Sequence, residues 1–177
     1  MIVIKEYSLL FAITNACNLL CSDCSTLCDK NSSYFISKED FIKQLKQINK
    51  IFPYGITIDI TGGESLLHPN FFEFCEITKK ICPDKEIAFW TNGILLNKIP
   101  KEQLEYLVKE LRIHFKTSIY PATIDIFEKN KKKFEDIGKE LEIMGSRLYF
   151  HKQVLDRTGK QNIEKLYNTC YHFREPY

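Results

Sequence analysis

Ile56-Thr57-Ile58-Asp59-Ile60-Thr61-Gly62-Gly63-Glu64 is the stretch on which the fold turns. Three isoleucines alternate with three polar residues, the period of a β-strand, and the Gly62-Gly63 turn ends the run. Before it, residues 7–14 read as a buried strand, followed by a cysteine-rich loop up to about Ile36. Ser37 suits the N-cap of a helix, with Asp40 three residues on, and Phe41, Leu45, Ile48 and Phe52 form its apolar stripe. After it, a helix from Asn70 carries Phe71, Phe74, Cys75, Thr78, Ile81 and Cys82 on one face until Pro83 stops it. Residues 86–91 give a third strand, closed by Asn92-Gly93, and Pro100 opens a third helix with Leu104, Leu107, Val108 and Leu111 inward. Residues 112–119 make a fourth strand ending at Tyr120-Pro121. A charged helix over roughly 125–143, capped by Gly145, then leads to a fifth strand at 147–152.

Strand–helix alternation of this length predicts parallel βαβ units with right-handed crossovers, hence an α/β fold. The strands could roll into part of a barrel or lie in an open doubly wound sheet. A full eight-fold barrel needs roughly 250 residues, so a partial parallel (β/α) barrel of about five to six strands is expected. The core should span residues 1–152, with 153–177 a polar tail holding a short helix near Ile163–Tyr167.

Composition narrows the function classes. The chain has 177 residues, 44% apolar and 27% charged, with a formal charge of +2. That balance makes no electrostatic case for nucleic acid or a membrane surface. Lys131-Lys132-Lys133 reads as the solvated face of a helix. The apolar run from Tyr7 to Ile13 is too short to span a bilayer and lacks the flanks of a secretory signal. The cytoplasm is the expected location. There, the odd number of cysteines, seven, points to metal chemistry or core packing rather than disulfides.

Cys17-Asn18-Leu19-Leu20-Cys21-Ser22-Asp23-Cys24, directly after the first strand, is the strongest chemical signal. Thiolates are the natural ligands of an iron–sulfur cube, and three of them leave one iron open. Buried structural cysteines fall on periodic faces, as Cys75 and Cys82 do, whereas these sit among Asn, Ser and Asp in a loop. Glu64 could offer a carboxylate to an ammonium group or simply cap the next helix. Cys28 could close a fourth corner, although the spacing differs from the bacterial ferredoxin run. A zinc loop is a further reading. His68, His114, His151 and His172 show no spacing suited to a metal or a catalytic pair, and each reads as structural.

The C-x3-C-x2-C spacing resembles the signature of the radical S-adenosylmethionine (radical SAM) superfamily, and three later segments match that family in order. Thr61-Gly62-Gly63-Glu64 resembles its GGE motif, Thr91-Asn92-Gly93 a common turn near the cofactor, and Ser118 a polar position by the ribose. The resemblance covers roughly residues 7–152. It implies a 4Fe-4S cluster on Cys17, Cys21 and Cys24, with S-adenosyl-L-methionine bound at the open iron near Gly62, Gly63, Glu64, Thr91, Asn92 and Ser118. It further implies an enzyme that forms a 5′-deoxyadenosyl radical to take hydrogen from a substrate, supplied with electrons by a flavodoxin or ferredoxin. The segment around Cys170 resembles the opening of the cysteine-rich extension of peptide-modifying and activase-like members, here apparently cut short, which suggests a peptide or protein substrate. Two positions depart from the family: Asp23 replaces an aromatic residue, and Ser65 a proline. The competing expectations are a catalytically silent module that binds a peptide or partner protein, and an electron carrier using Cys28.

Overall fold

The computed structural model describes residues 7–21, 24, 26, 28, 33–146, 162 and 164. Five strands, β1 (Tyr7–Thr14), β2 (Ile56–Gly62), β3 (Glu86–Thr91), β4 (Ile113–Ile119) and β5 (Glu142–Ser146), form one sheet in the order β1-β2-β3-β4-β5. Every neighbouring pair is parallel. A doubly wound sheet would reverse its strand order at a switch point and carry helices on both faces. This sheet does neither, and is the wall of a partial (β/α) barrel.

Helices α1 (Lys38–Ile51), α2 (Phe71–Ile81), α3 (Lys101–Glu105) and α4 (Ile124–Glu135) connect the strands. They pack on one face, around a spine of phenylalanines. Phe41 of α1 stacks on Phe74 of α2 at 3.8 Å and on Phe11 of β1 at 5.4 Å. Phe71 of α2 meets Phe89 of β3 edge-on at 4.9 Å, and Phe134 of α4 meets Phe115 of β4 at 6.0 Å. The isoleucines of β2 follow the same rule: Ile58 and Ile60 are wholly buried on the helix side. Asp59, between them, points to the other face, where it pairs with Lys116 at 3.0 Å and bonds Ser8. Glu142 flanks the pair at 3.9 Å from Lys116.

Ser37 caps α1 by accepting from the Asp40 N–H at 3.1 Å, as the sequence predicts. Phe52 does not join the buried stripe; it follows the last turn and is 40% exposed. The third helix is shorter than expected, because the backbone widens into a π turn over Tyr106–Glu110. Leu104 and Leu107 are still delivered to the core.

The main correction concerns the fifth strand. A strand lies at Glu142–Ser146, ahead of the expected 147–152, and the preceding helix ends at Glu135 rather than near residue 143. Gly145 is a strand residue paired with Ser118. The true cap is Gly138, with φ of 70°. Lys139 N–H reaches Phe134 O at 3.0 Å, and Gly138 N–H reaches Glu135 O at 2.9 Å. That pair of bonds is the Schellman closure, which needs a left-handed residue where Gly138 stands. The positions 147–152 and most of the tail fall outside the described residues.

Candidate functional site

The C-terminal ends of the strands bring together the segments that the sequence singles out. The cysteine loop is fastened at its neck. Thr14, the last residue of β1, bridges Phe35, and its hydroxyl bonds Tyr34 O at 2.5 Å while accepting from Ala16 N–H at 3.0 Å. Ile36 N–H adds a bond to Ile13 O at 2.9 Å. Both ends of the loop are thereby tied to one strand end.

Cys17, Cys21 and Cys24 are part-exposed, Cys28 is buried, and none of the six described cysteines is in a disulfide. Leu19 N–H points at Cys17 Sγ at 3.4 Å, and the Thr26 hydroxyl sits between Cys24 Sγ at 3.1 Å and Cys28 Sγ at 3.0 Å. Burial raises the Cys17 and Cys28 thiols above the usual range, with Cys24 adding charge repulsion in both. Burial also opposes ionisation of Cys24, but hydrogen bonds from Thr26 and the backbone of Cys28 outweigh it and lower that thiol. Among the described residues, no three cysteine, histidine or carboxylate side chains stand gathered at a common point suited to a metal. The donor set nonetheless fits an iron–sulfur cluster. Soft sulfurs on one part-exposed loop can be drawn in as the metal binds, because metal sites commonly form with their ion.

Gly62 and Gly63 are explained by the neighbouring backbone. A Cβ on Gly62 would lie 2.2 Å from Thr14 O, and one on Gly63 would lie 2.2 Å from Ala16 O. The stripped backbone lets Gly63 N–H bond Thr14 O at 2.9 Å and Glu64 N–H bond Ala16 O at 2.8 Å. The glycine turn is therefore pressed against the root of the cysteine loop, and only hydrogen fits at either Cα.

Glu64 is wholly buried. Its carboxylate accepts from Leu66 N–H at 3.1 Å and from Asn92 N–H at 2.7 Å, and burial raises its pKa against the pull of these donors. The side chain thus caps the short 3-10 turn Ser65–Leu67 and crosses to the turn after β3. Asn92 donates its side-chain amide to Asn18 Oδ1 at 2.7 Å and toward Cys17 Sγ at 3.9 Å. Thr91 Oγ1 accepts from Gly93 N–H at 3.0 Å, and Gly93 O accepts from Asn130 Nδ2 of α4 at 2.8 Å. One connected network joins the three turns.

Ser118 lies half-buried near the end of β4, at the register irregularity opposite Gly145. His114 is exposed. His68 is 3% exposed and structural as expected, its ring bonded to Ile36 O at 3.0 Å and to Asn70 N–H at 3.1 Å. Asp23, His151, Cys170 and His172 fall outside the described residues. Sequence reasoning missed three residues that build the site, Asn18, Tyr34 and Asn130, and singled out Ser65 without giving it a partner. Ser65, where the family pattern has proline, is wholly buried and donates to Trp90 O at 2.7 Å, pinning the end of β3 to the glycine turn.

Comparison with known proteins agrees with this geometry. The family model described as the radical SAM superfamily matches residues 11–175. The antilisterial bacteriocin subtilosin biosynthesis protein AlbA of Bacillus subtilis is 29% identical over 143 residues, 79% of this chain and 31% of AlbA. GTP 3′,8-cyclase of Chlorobaculum tepidum is 35% identical over 100 residues, 55% of this chain and 28% of the cyclase. The chain thus spans about a third of the length of these curated relatives. Among solved structures, Streptococcus suis SuiB shares the fold. Bound to its precursor peptide SuiA it superposes with a TM-score of 0.62 at 20% identity, covering 79% of this chain and 33% of SuiB. Bound to S-adenosylmethionine it gives 0.60 at 20% identity, covering 78% and 34%.

Proposed function

The chain belongs to the radical SAM superfamily, whose members bind a 4Fe-4S cluster and S-adenosylmethionine, and on that premise we propose that it is an enzyme cleaving S-adenosyl-L-methionine reductively to act on a peptide or protein. The observation that carries this reading is the single hydrogen-bonded network joining the cysteine loop, the Gly62-Gly63-Glu64 turn and the Thr91-Asn92-Gly93 turn at the C-terminal ends of three adjacent strands. Active sites of parallel barrels lie at that end.

Cys17, Cys21 and Cys24 would hold the cluster, leaving one iron for the cofactor. When bound, cluster and cofactor together would supply one-electron chemistry, with an electron from the reduced cluster breaking the sulfonium C–S bond into methionine and a 5′-deoxyadenosyl radical able to take a hydrogen atom from the substrate. The protein's own part is placement. Gly62 and Gly63 keep the second turn tight against the cysteine loop, so that the methionine end of the cofactor meets backbone there. Glu64, its carboxylate already engaged by two N–H groups, holds that turn to Asn92. Thr91 and Asn92 shape the third turn, and Ser118 offers a hydroxyl for the ribose. A flavodoxin or ferredoxin would provide the electron, in a reducing compartment such as the cytoplasm; among the described residues no helix is long and apolar enough to cross a membrane.

The peptide substrate rests on AlbA and on SuiB with its precursor peptide. The similarity to GTP 3′,8-cyclase favours a nucleotide as the second reading. Anaerobic reconstitution followed by assay of 5′-deoxyadenosine with dithionite tests the activity. Cofactor-dependent product that vanishes in Cys17→Ala is expected. A protein that takes up the cluster yet releases no 5′-deoxyadenosine would be a silent binding module instead. Stimulation of turnover by a peptide pool rather than by nucleoside triphosphates separates the two substrate classes.

A further inference from the structure

Asn92 is fixed from every side. It is 7% exposed. Its backbone N–H is held by Glu64 Oε2 at 2.7 Å, and its Oδ1 accepts from Ile94 N–H at 3.1 Å. With the carbonyl oxygen engaged, Nδ2 is committed to the cysteine loop. One of its hydrogens serves Asn18 Oδ1 at 2.7 Å, and Cys17 Sγ lies within reach of the other at 3.9 Å. The residues on either side are pinned as well, Gly93 by Thr91 Oγ1 and by Asn130.

We propose that Asn92 is a positioning residue for the cluster, whose side-chain N–H donates to Cys17 Sγ and raises the reduction potential of the iron–sulfur centre. This rests on the reading of Cys17 as a ligand. The physical reason is charge. One-electron reduction adds negative charge that spreads onto the cysteine sulfurs, and a donor aimed at one of them stabilises the reduced form more than the oxidised one. In a part-buried loop, where solvent does little of that work, a fixed donor matters more. An apolar side chain at 92 would leave Cys17 Sγ with the Leu19 N–H, at 3.4 Å, in place of two donors. The amide suits the task because it carries two donors and one acceptor in a plane, so one residue can brace its own turn, hold Asn18 and face the sulfur.

The test is an EPR-monitored redox titration of the reconstituted protein without S-adenosyl-L-methionine, a readout independent of turnover. In Asn92→Ala the midpoint is expected to fall, with the ratio of reduced to oxidised cluster at a given potential dropping by roughly tenfold, which is 59 mV for a one-electron couple. Should Asn92→Ala fail to take up iron, Asn92→Ser replaces it, since its uncharged hydroxyl oxygen can still accept from Ile94 N–H while the shorter side chain withdraws the donor from the sulfur; its midpoint should also fall. Asn18→Ala removes the other partner and leaves the donor by the sulfur, so its midpoint should stay near that of the unaltered protein. Unaltered protein with a cluster, and an unchanged midpoint in Asn92→Ala or its substitute, overturns this inference alone. A fall in Asn18→Ala as large as in Asn92→Ala also overturns it, because bracing of the loop would then explain both. Failure of the unaltered protein to take up a cluster overturns the functional reading along with it.

Discussion

The cysteine loop and helix α2 both carry thiols, and they surround them differently. Cys75 on α2 and Cys82 at its C-cap are 0% and 1% exposed, packed in the apolar core, and burial lifts the Cys75 thiol well above its ordinary range. In the loop, Cys17, Cys21 and Cys24 stand part-exposed among hydrogen-bond donors, and Cys24 ionises more readily than an ordinary thiol. A thiol becomes a ligand or a nucleophile only as a thiolate. The same side chain is thus a small hydrophobe in one region and, on the proposed reading, a metal donor in the other, and the surroundings decide which.

The comparison is broken most directly by removing thiols one at a time. Replacing Cys17, Cys21 or Cys24 with Ala should abolish stable cluster uptake, measured as iron and sulfide per chain, whereas Cys28→Ala, Cys75→Ala and Cys82→Ala should retain it. Uptake lost in Cys28→Ala would reinstate the four-cysteine electron carrier. Next in size is Gly63→Ala. Its methyl would stand 2.2 Å from Ala16 O, so the glycine turn or the loop root must move. A loss of about 1–3 kcal/mol, as for other overpacked sites, is expected in urea unfolding. A change within error would mean that the two backbones are not in contact.

Cys75→Ala should cost about 1 kcal/mol of stability, the middle of the range for single substitutions, with iron uptake untouched. That outcome would separate the two groups of thiols by function. The smallest effect concerns His68, which joins the regions: its ring bonds Ile36 O at the loop neck and lies 4.4 Å from the Phe74 ring of α2. Burial lowers its pKa below the ordinary 6.5. Below that value the unfolded chain binds a proton that the folded chain refuses, so stability is complete above pH 6.5 and falls as acid is added toward the depressed folded value. In urea midpoints taken from pH 7.5 to 5.5, His68→Gln should flatten the slope; an unchanged slope would assign the acid sensitivity elsewhere.

Much of this was legible in the sequence wherever burial is one-sided. The isoleucines of β2, the Phe71–Phe74–Cys75–Thr78 face of α2 and the turn after Thr91 all stand where periodicity puts them. The start of β5 was hidden for a physical reason. Ile143 and Met144 are 51% and 39% exposed, so the strand carries no buried alternation, and a lysine-rich helix before it hides the break at Gly138. At the candidate site, the residue types announced themselves as cysteines, glycines and an asparagine. Their partners did not. That Glu64 reaches Asn92, or Ser65 reaches Trp90, follows from two strands lying side by side, and no local pattern encodes it.

Asn130 shows what such partnerships mean for anyone mapping this protein by scanning mutagenesis. It sits inside α4, on the helical shell, yet its amide supports the carbonyl of Gly93 across 37 positions of sequence. On the proposed reading, screens that score lost turnover would flag it beside the residues that meet the cofactor, and directed-evolution campaigns would find there a remote handle on cofactor fit. Distance from the chemistry, in a scaffold wired like this, is a poor guide to tolerance.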